Sequence, residues 1–97
     1  MHDYTSALQS HQRALVIRIK VFGAEHESTA DSYFHLGATQ YQMHEYTLAL
    51  QSHQCALAIR ITVFGDEHER TADSYRELGV TQYAMNEIGR ASCRERV

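Results

Sequence analysis

The sequence predicts an all-α fold, an α-solenoid of antiparallel helix hairpins. The first observation is a repeat of 42 residues: residues 1–44 and 43–86 align without insertion, and 32 of the 44 pairs are identical. The second is that apolar residues within each copy recur at helical steps of seven, four and three. Repetition at this period is typical of arrays in which each unit packs on its neighbours.

Each copy contains two helical patterns. Leu8, Leu15, Ile19 and Phe22 form one apolar stripe, and the same residues recur 42 positions later. Gly23 follows the stripe directly, where a left-handed C-terminal cap favours a residue without Cβ. The pattern predicts helices over about 3–22, 28–43, 45–64 and 70–86.

The period of 42 residues is shared by several architectures. Propeller blades require four short alternating strands, and no segment alternates apolar and polar residues for long enough, so propellers are excluded. Paired-helix HEAT-type repeats stay possible on length alone. Small residues at the predicted helix crossings favour a closer approach of two helices.

This arrangement of small and aromatic residues resembles the tetratricopeptide repeat, over residues 1 to about 86. The positions that carry the resemblance are Tyr33, Leu36, Gly37, Ala49 and Ala56, followed by Tyr75, Leu78 and Gly79 in the next unit. The resemblance implies a superhelix that recognises proteins and carries out no catalysis of its own.

The connecting segments resemble more specifically the 42-residue variety found in kinesin light chains and nephrocystin-3-like proteins. Leu-Ala-Ile-Arg occupies residues 57–60 and Gly-Asp-Glu-His occupies residues 65–68. Two features depart from that pattern. Glutamate replaces the proline that usually follows the histidine, and the first-helix aromatic lies one place late, at Tyr41 and Tyr83.

The repeat phase predicts a fragment of a longer array. Residues 1–26 correspond to the second helix and loop of a truncated unit, 27–68 to one complete unit, and 69–87 to the first helix of the next. Residues 88–97 have no counterpart and resemble a translated sequencing adapter, so we predict a non-native tail. With about three units normally needed for stability, we expect marginal folding or self-association.

Composition narrows the possible partners and location of the protein. The formal charge of −3 argues against a nucleic-acid partner, because such affinity comes from clustered Lys and Arg. Charged residues interrupt the apolar runs before membrane-spanning length, and Met1 is followed by polar residues rather than a signal core. Cys55 and Cys93 show no paired spacing. We therefore expect a cytoplasmic protein that contacts neither membrane nor nucleic acid.

No pattern in the chain predicts catalysis, a metal site or a cofactor. His35, His44 and His53 are nine residues apart, which would place successive side chains on opposite faces of a continuous helix. His26 and His68 recur within the loops, so we interpret them as structural. Phosphate-binding loops, nucleophile elbows and paired catalytic carboxylates are not found.

Differences between the two copies point to recognition. Four of the twelve differing positions (34, 35, 38 and 42, aligned with 76, 77, 80 and 84) fall on one face of the first helix of a unit. The resemblance implies that this face lines a concave groove. The predicted partner-binding groove comprises Phe34, Ala38, Tyr41, Gln42, Arg76, Val80 and Tyr83.

The groove chemistry favours a short peptide or a partner helix, because it combines aromatic contact with Arg76 and the amide of Gln42. The basic and Asn clamp with which some relatives hold a C-terminal carboxylate is missing. We therefore predict an interaction scaffold. The alternative is a sensor arm of a larger signalling NTPase or multidomain enzyme, which a phosphate-binding loop upstream would indicate.

Overall fold

The computed structural model describes the backbone of residues 3–96 and the side chains of residues 3–87. Four helices follow one another: α1 (Tyr4–Phe22), α2 (Glu27–Gln42), α3 (Tyr46–Phe64) and α4 (Glu69–Arg96). The predicted all-α hairpin fold is confirmed, and the first three helices begin and end within one residue of the predicted bounds.

The end of α4 differs from the prediction. The repeat pattern places a helix end near residue 86, but the helix continues to Arg96. In α2 the chain leaves the helix at Met43 and His44 adopts a positive φ of 64°. The segment after Glu87 contains no proline to stop the helix, so backbone hydrogen bonding can continue. The predicted non-native tail lies outside the residues whose side chains are described, and its origin stays a prediction.

A glycine follows each of the two 19-residue helices, α1 and α3. Gly23 and Gly65 have φ of 93° and 91°, with ψ of 169° and 171°. A positive φ was predicted here, but ψ is extended instead of left-handed helical. This combination is accessible almost only to glycine. The amide of each glycine donates to the carbonyl of Ile19 or Ile61 at 2.9 Å and closes the last turn.

The loop histidines begin the next helices. Nδ1 of His26 accepts a hydrogen bond from the Ser28 amide at 3.0 Å, and its ring stacks on Phe22 at 4.4 Å. His68 makes the same two contacts: its Nδ1 accepts from the Arg70 amide, and its ring stacks on Phe64. Each histidine therefore satisfies one of the unpaired amides of a helix N-terminus and fixes the loop against the preceding helix.

The helices pack in chain order, α1 on α2, α2 on α3 and α3 on α4. The best-covered apolar side chains lie where α2 and α3 cross: Ala30, Leu36, Ala49, Ala56 and Ile59 are all buried. Small side chains allow this close approach, as the sequence predicts. None of the described helices is long and apolar enough to cross a membrane.

A repeated arginine contact joins each unit to the next. Arg18 Nη1 donates to the carbonyl of Ser28 at 2.9 Å and to Ser32 Oγ at 3.0 Å. Arg60 makes the same two contacts 42 residues later, with the carbonyl of Arg70 and with Ser74 Oγ. A charged side chain within an apolar stripe therefore serves as a structural link between units.

Candidate partner-binding cleft

A cleft of about 540 Å³ lies between α2 and α4, above α3. Its walls come from the first helices of neighbouring units and its floor from Arg60 of α3. The lining residues are Asp31, Phe34, His35, Arg60, His68, Glu69, Arg70 and Asp73. The stacking of units therefore creates a surface that no single hairpin possesses.

An ion network spans this cleft. Asp31 Oδ1 lies 3.2 Å from Arg60 Nη2 and 3.1 Å from Arg70 Nη1, so one carboxylate bridges α2, α3 and α4. The Arg60 side chain is 5 % exposed, whereas that of Arg70 is 51 % exposed. The buried guanidinium is thus held within the structure, and the outer guanidinium keeps donors available to solvent or a partner.

Phe34 forms the apolar part of the cleft. The Arg60 guanidinium carbon lies 4.7 Å from the centre of its ring, a cation–π distance. The ring of His53 also meets Phe34 edge-on, with the ring centres 5.5 Å apart. Phe34 consequently connects the cleft to the core of the α2–α3 hairpin.

His53 is fully buried behind Phe34, and neither ring nitrogen has a hydrogen-bond partner among the described residues. Burial lowers the pKa of His53 because the charged imidazolium loses its hydration. Arg60 lowers this pKa further, while the carboxylate of Glu77 opposes the shift. The ring is therefore neutral at neutral pH and acts as a packing element against Gly37.

The predicted groove residues of α2 differ in burial and in their contacts. Phe34 lines the cleft, but much of its ring contacts α3. Tyr41 packs edge-on against Tyr46 at 5.3 Å, at the α2–α3 contact. Ala38 is half-buried and Gln42 is exposed. These positions thus contribute both to the hairpin and to the surface, and their role in partner binding stays a prediction.

The predicted groove residues of α4 are more exposed. Arg76 is paired within its own helix, at 3.9 Å from Asp73 and 3.4 Å from Glu77. Val80 and Tyr83 are 42 % and 68 % exposed. No helix covers this side of the described part of α4, whereas α3 covers Tyr41 in the preceding unit.

The sequence prediction missed the charged residues of the cleft. Asp31 and Arg60 recur unchanged as Asp73 and Arg18, so differences between the copies do not indicate them. Two signals were present. An arginine interrupts the apolar stripe at the same place in both copies, and Arg70 replaces a serine of the preceding unit.

The histidines and Cys55 show no common site. Among residues 3–87, no group of three His, Cys, Asp or Glu side chains is placed to hold a metal ion. His35 instead stacks on His11 at 5.7 Å, between α1 and α2. Cys55 is an exposed free thiol.

These features define a helical-repeat protein in which stacked hairpins present a cleft. The chain belongs to the tetratricopeptide repeat family, whose family model matches residues 1–62 and again residues 40–96. Tetratricopeptide repeats are generally protein–protein interaction modules and are typically non-enzymatic scaffolds. No curated protein and no solved structure matches the chain significantly.

Proposed function

We propose that the chain binds a peptide segment of a partner protein in the cleft between α2 and α4. The observation that carries this proposal is the open ion network, in which Arg70 is half-exposed while Asp31 already holds it in place. A positioned guanidinium loses little side-chain freedom on binding, which reduces the entropic cost of recognition.

The cleft offers three kinds of contact within a short distance. Arg70 can donate to a carboxylate or a peptide carbonyl, Asp73 can accept a hydrogen bond, and Phe34 supplies an apolar surface. This mixture suits an extended, polar peptide better than a purely apolar helix. The predicted contacts with Gln42, Val80 and Tyr83 would extend the same surface towards the ends of α2 and α4.

Two narrower assignments belong to the same proposal. The likeness to the 42-residue variety of kinesin light chains and nephrocystin-3-like proteins is supported by the loop histidine of that signature, His68, which caps α4. A cytoplasmic location is supported by the exposed, unpaired thiol of Cys55, which would persist in a reducing compartment.

The test is selection of binders from a random peptide library, followed by titration calorimetry. Arg70→Ser copies the residue of the preceding unit, and we expect it to weaken the selected peptides roughly five-fold or more. Gln54→Ala, at an exposed position on α3, is the matched control and should leave affinity unchanged. Circular dichroism verifies that both variants fold.

Two results would refute this proposal. One is failure of the wild-type chain to select any peptide. The other is a set of selected peptides whose affinity is unaffected by Arg70→Ser, which would place the binding surface elsewhere.

A further inference from the structure

Most residues of the α2–α3 contact occur a second time in the chain, divided between the first and the last helix. α4 repeats most of the residues with which α2 meets α3, and α1 repeats most of those with which α3 meets α2. We define these two surfaces as the open faces of α4 and α1.

The open face of α4 is uncovered where α2 is covered. A Cβ at Gly37 would lie 2.8 Å from the His53 ring, whereas one at Gly79 would meet no heavy atom within 4 Å in the described part of the chain beyond its own helix. Tyr75 and Tyr83 are 50 % and 68 % exposed. The notch that receives the His53 ring in α2 is therefore present and empty in α4.

The open face of α1 combines two exposed aliphatic side chains with polar and basic ones. Val16 and Ile17 are each 52 % exposed, and together with Arg13 and Lys20 they line a groove of about 730 Å³. Their counterparts Ala58 and Ile59 lie beside the α1–α2 loop and Tyr33. Exposed aliphatic side chains at adjoining positions of a helix are typical of an interface.

Four specific contacts of the α2–α3 interface have matching residues on the two open faces, whereas Phe34, which meets His53 and Arg60, has Arg76 as its counterpart. Within the chain these contacts join Gly37 to His53, Gln40 to Ser52 at 2.6 Å, Tyr41 to Tyr46 at 5.3 Å and Asp31 to Arg60 at 3.2 Å. Their identical counterparts are Gly79 and His11, Gln82 and Ser10, Tyr83 and Tyr4, and Asp73 and Arg18.

At one pair of differing interface positions, the change introduces opposite charges. Ala24 of the α1–α2 loop and Cys55 of α3 line one small cavity of the α2–α3 interface. Their counterparts on the open faces are Asp66 and Arg13. A neutral pair inside the chain thus becomes a complementary ion pair between chains, which favours this pairing over others.

From this correspondence we infer that the partner on the open face of α4 is the α1 helix of a second copy of the chain. The contact joins different surfaces of the two copies, so each addition leaves a free end and assembly continues beyond a dimer. His11 of the added copy enters the notch at Gly79. Asp73 and Tyr83 belong both to this contact and to the proposed peptide-binding surface, so peptide binding is tested at concentrations where the chain is monomeric.

Sedimentation velocity of the 97-residue chain between about 5 and 500 µM tests the inference. We expect the weight-average mass to rise with concentration past that of a dimer. Gly79→Ala should move the rise to concentrations at least about five-fold higher, because its methyl group occupies the notch. The helical circular dichroism of this variant should be retained, since no heavy atom of the described residues outside its own helix lies within 4 Å of that methyl group.

A charge exchange identifies the surfaces involved. Asp66→Arg and Arg13→Asp should each weaken assembly on the order of five-fold, because like charges then meet in every contact. An equimolar mixture of the two variants should restore assembly, since both mixed contacts pair opposite charges.

Three outcomes would overturn the inference. A monomer at all concentrations would show that a second copy does not occupy the open face. A mass that stops at a dimer would show a symmetric contact. Assembly that tolerates Gly79→Ala would show a contact elsewhere. None of these outcomes affects the peptide-binding test when it is performed below the concentration at which the mass begins to rise.

Discussion

Gly37→Ala should destabilise the hairpin, although alanine is the better helix former. A Cβ at this position would lie 2.8 Å from Cε1 and Nε2 of His53 and 3.0 Å from Cδ2. Carbon atoms normally pack at about 3.5–4.0 Å, so the methyl group requires a displacement of roughly 0.7 Å or more. The atoms in the way belong to a fully buried ring, which has no solvent-exposed space to enter.

The magnitude follows from two opposing terms. Overpacking a close-packed contact costs about 1–3 kcal/mol, and replacing a helical glycine by alanine recovers about 0.5–1 kcal/mol. We therefore expect a net loss of about 0.5–2 kcal/mol in the free energy of unfolding. For a domain of this size, that lowers the melting temperature by about 4–8 °C per kcal/mol.

The chain contains its own control. Gly79 is the repeat counterpart of Gly37, but a Cβ there meets no atom within 4 Å beyond its helix among the described residues. Gly79→Ala should therefore stabilise the isolated chain by about 0.5–1 kcal/mol. Urea unfolding followed by circular dichroism at low protein concentration compares the two variants. Equal effects of the two substitutions would refute the reasoning, because helix propensity alone would then decide both.

Two further predictions concern charge. Asp31→Asn should cost about 1–2 kcal/mol in the free energy of unfolding, because it removes the carboxylate from the buried Arg60. Asp73→Asn, at the repeat counterpart, should cost less than about 0.5 kcal/mol in the same urea assay; equal costs would show that the network adds nothing. The pKa of His53 is lowered in the folded chain, so the unfolded chain binds the proton first as the pH falls below the usual histidine value of 6.5. The contribution of His53 to the free energy of unfolding should be constant above pH 6.5. At lower pH it should decrease, by at most about 1.4 kcal/mol per pH unit. His53→Gln should therefore show a shallower decline in melting temperature between neutral and acidic pH. An unchanged slope in His53→Gln would assign the acid sensitivity to other groups.

The helices could be predicted because their signals are local and occur twice. The apolar stripe ending at Phe22, the glycine after it and the small residues at the crossing all act within one unit or between adjacent ones. The end of α4 could not be predicted in this way, because the stop after α2 depends on a turn through His44 that the later segment does not repeat.

The candidate cleft was only partly predictable. The helix-face pattern indicated Phe34, which lines the cleft. Variation between the copies could not indicate Asp31, whose carboxylate meets two arginines from different helices. The same variation pointed to Tyr41, which the structure places against Tyr46. Sequence differences report where residues are free to change, and they do not distinguish a groove from a hairpin contact.

The sequence by itself determined the repeat, the all-α class and the family, because periodicity and small-residue spacing are properties of one chain read in order. Only the tertiary structure decided which residues at the same repeat position are also buried to the same extent. His53 is buried between two helices while His11 keeps one side uncovered, although both belong to the same repeat position. The physical reason is that burial depends on the number of neighbouring helices, which the unit's own sequence does not encode.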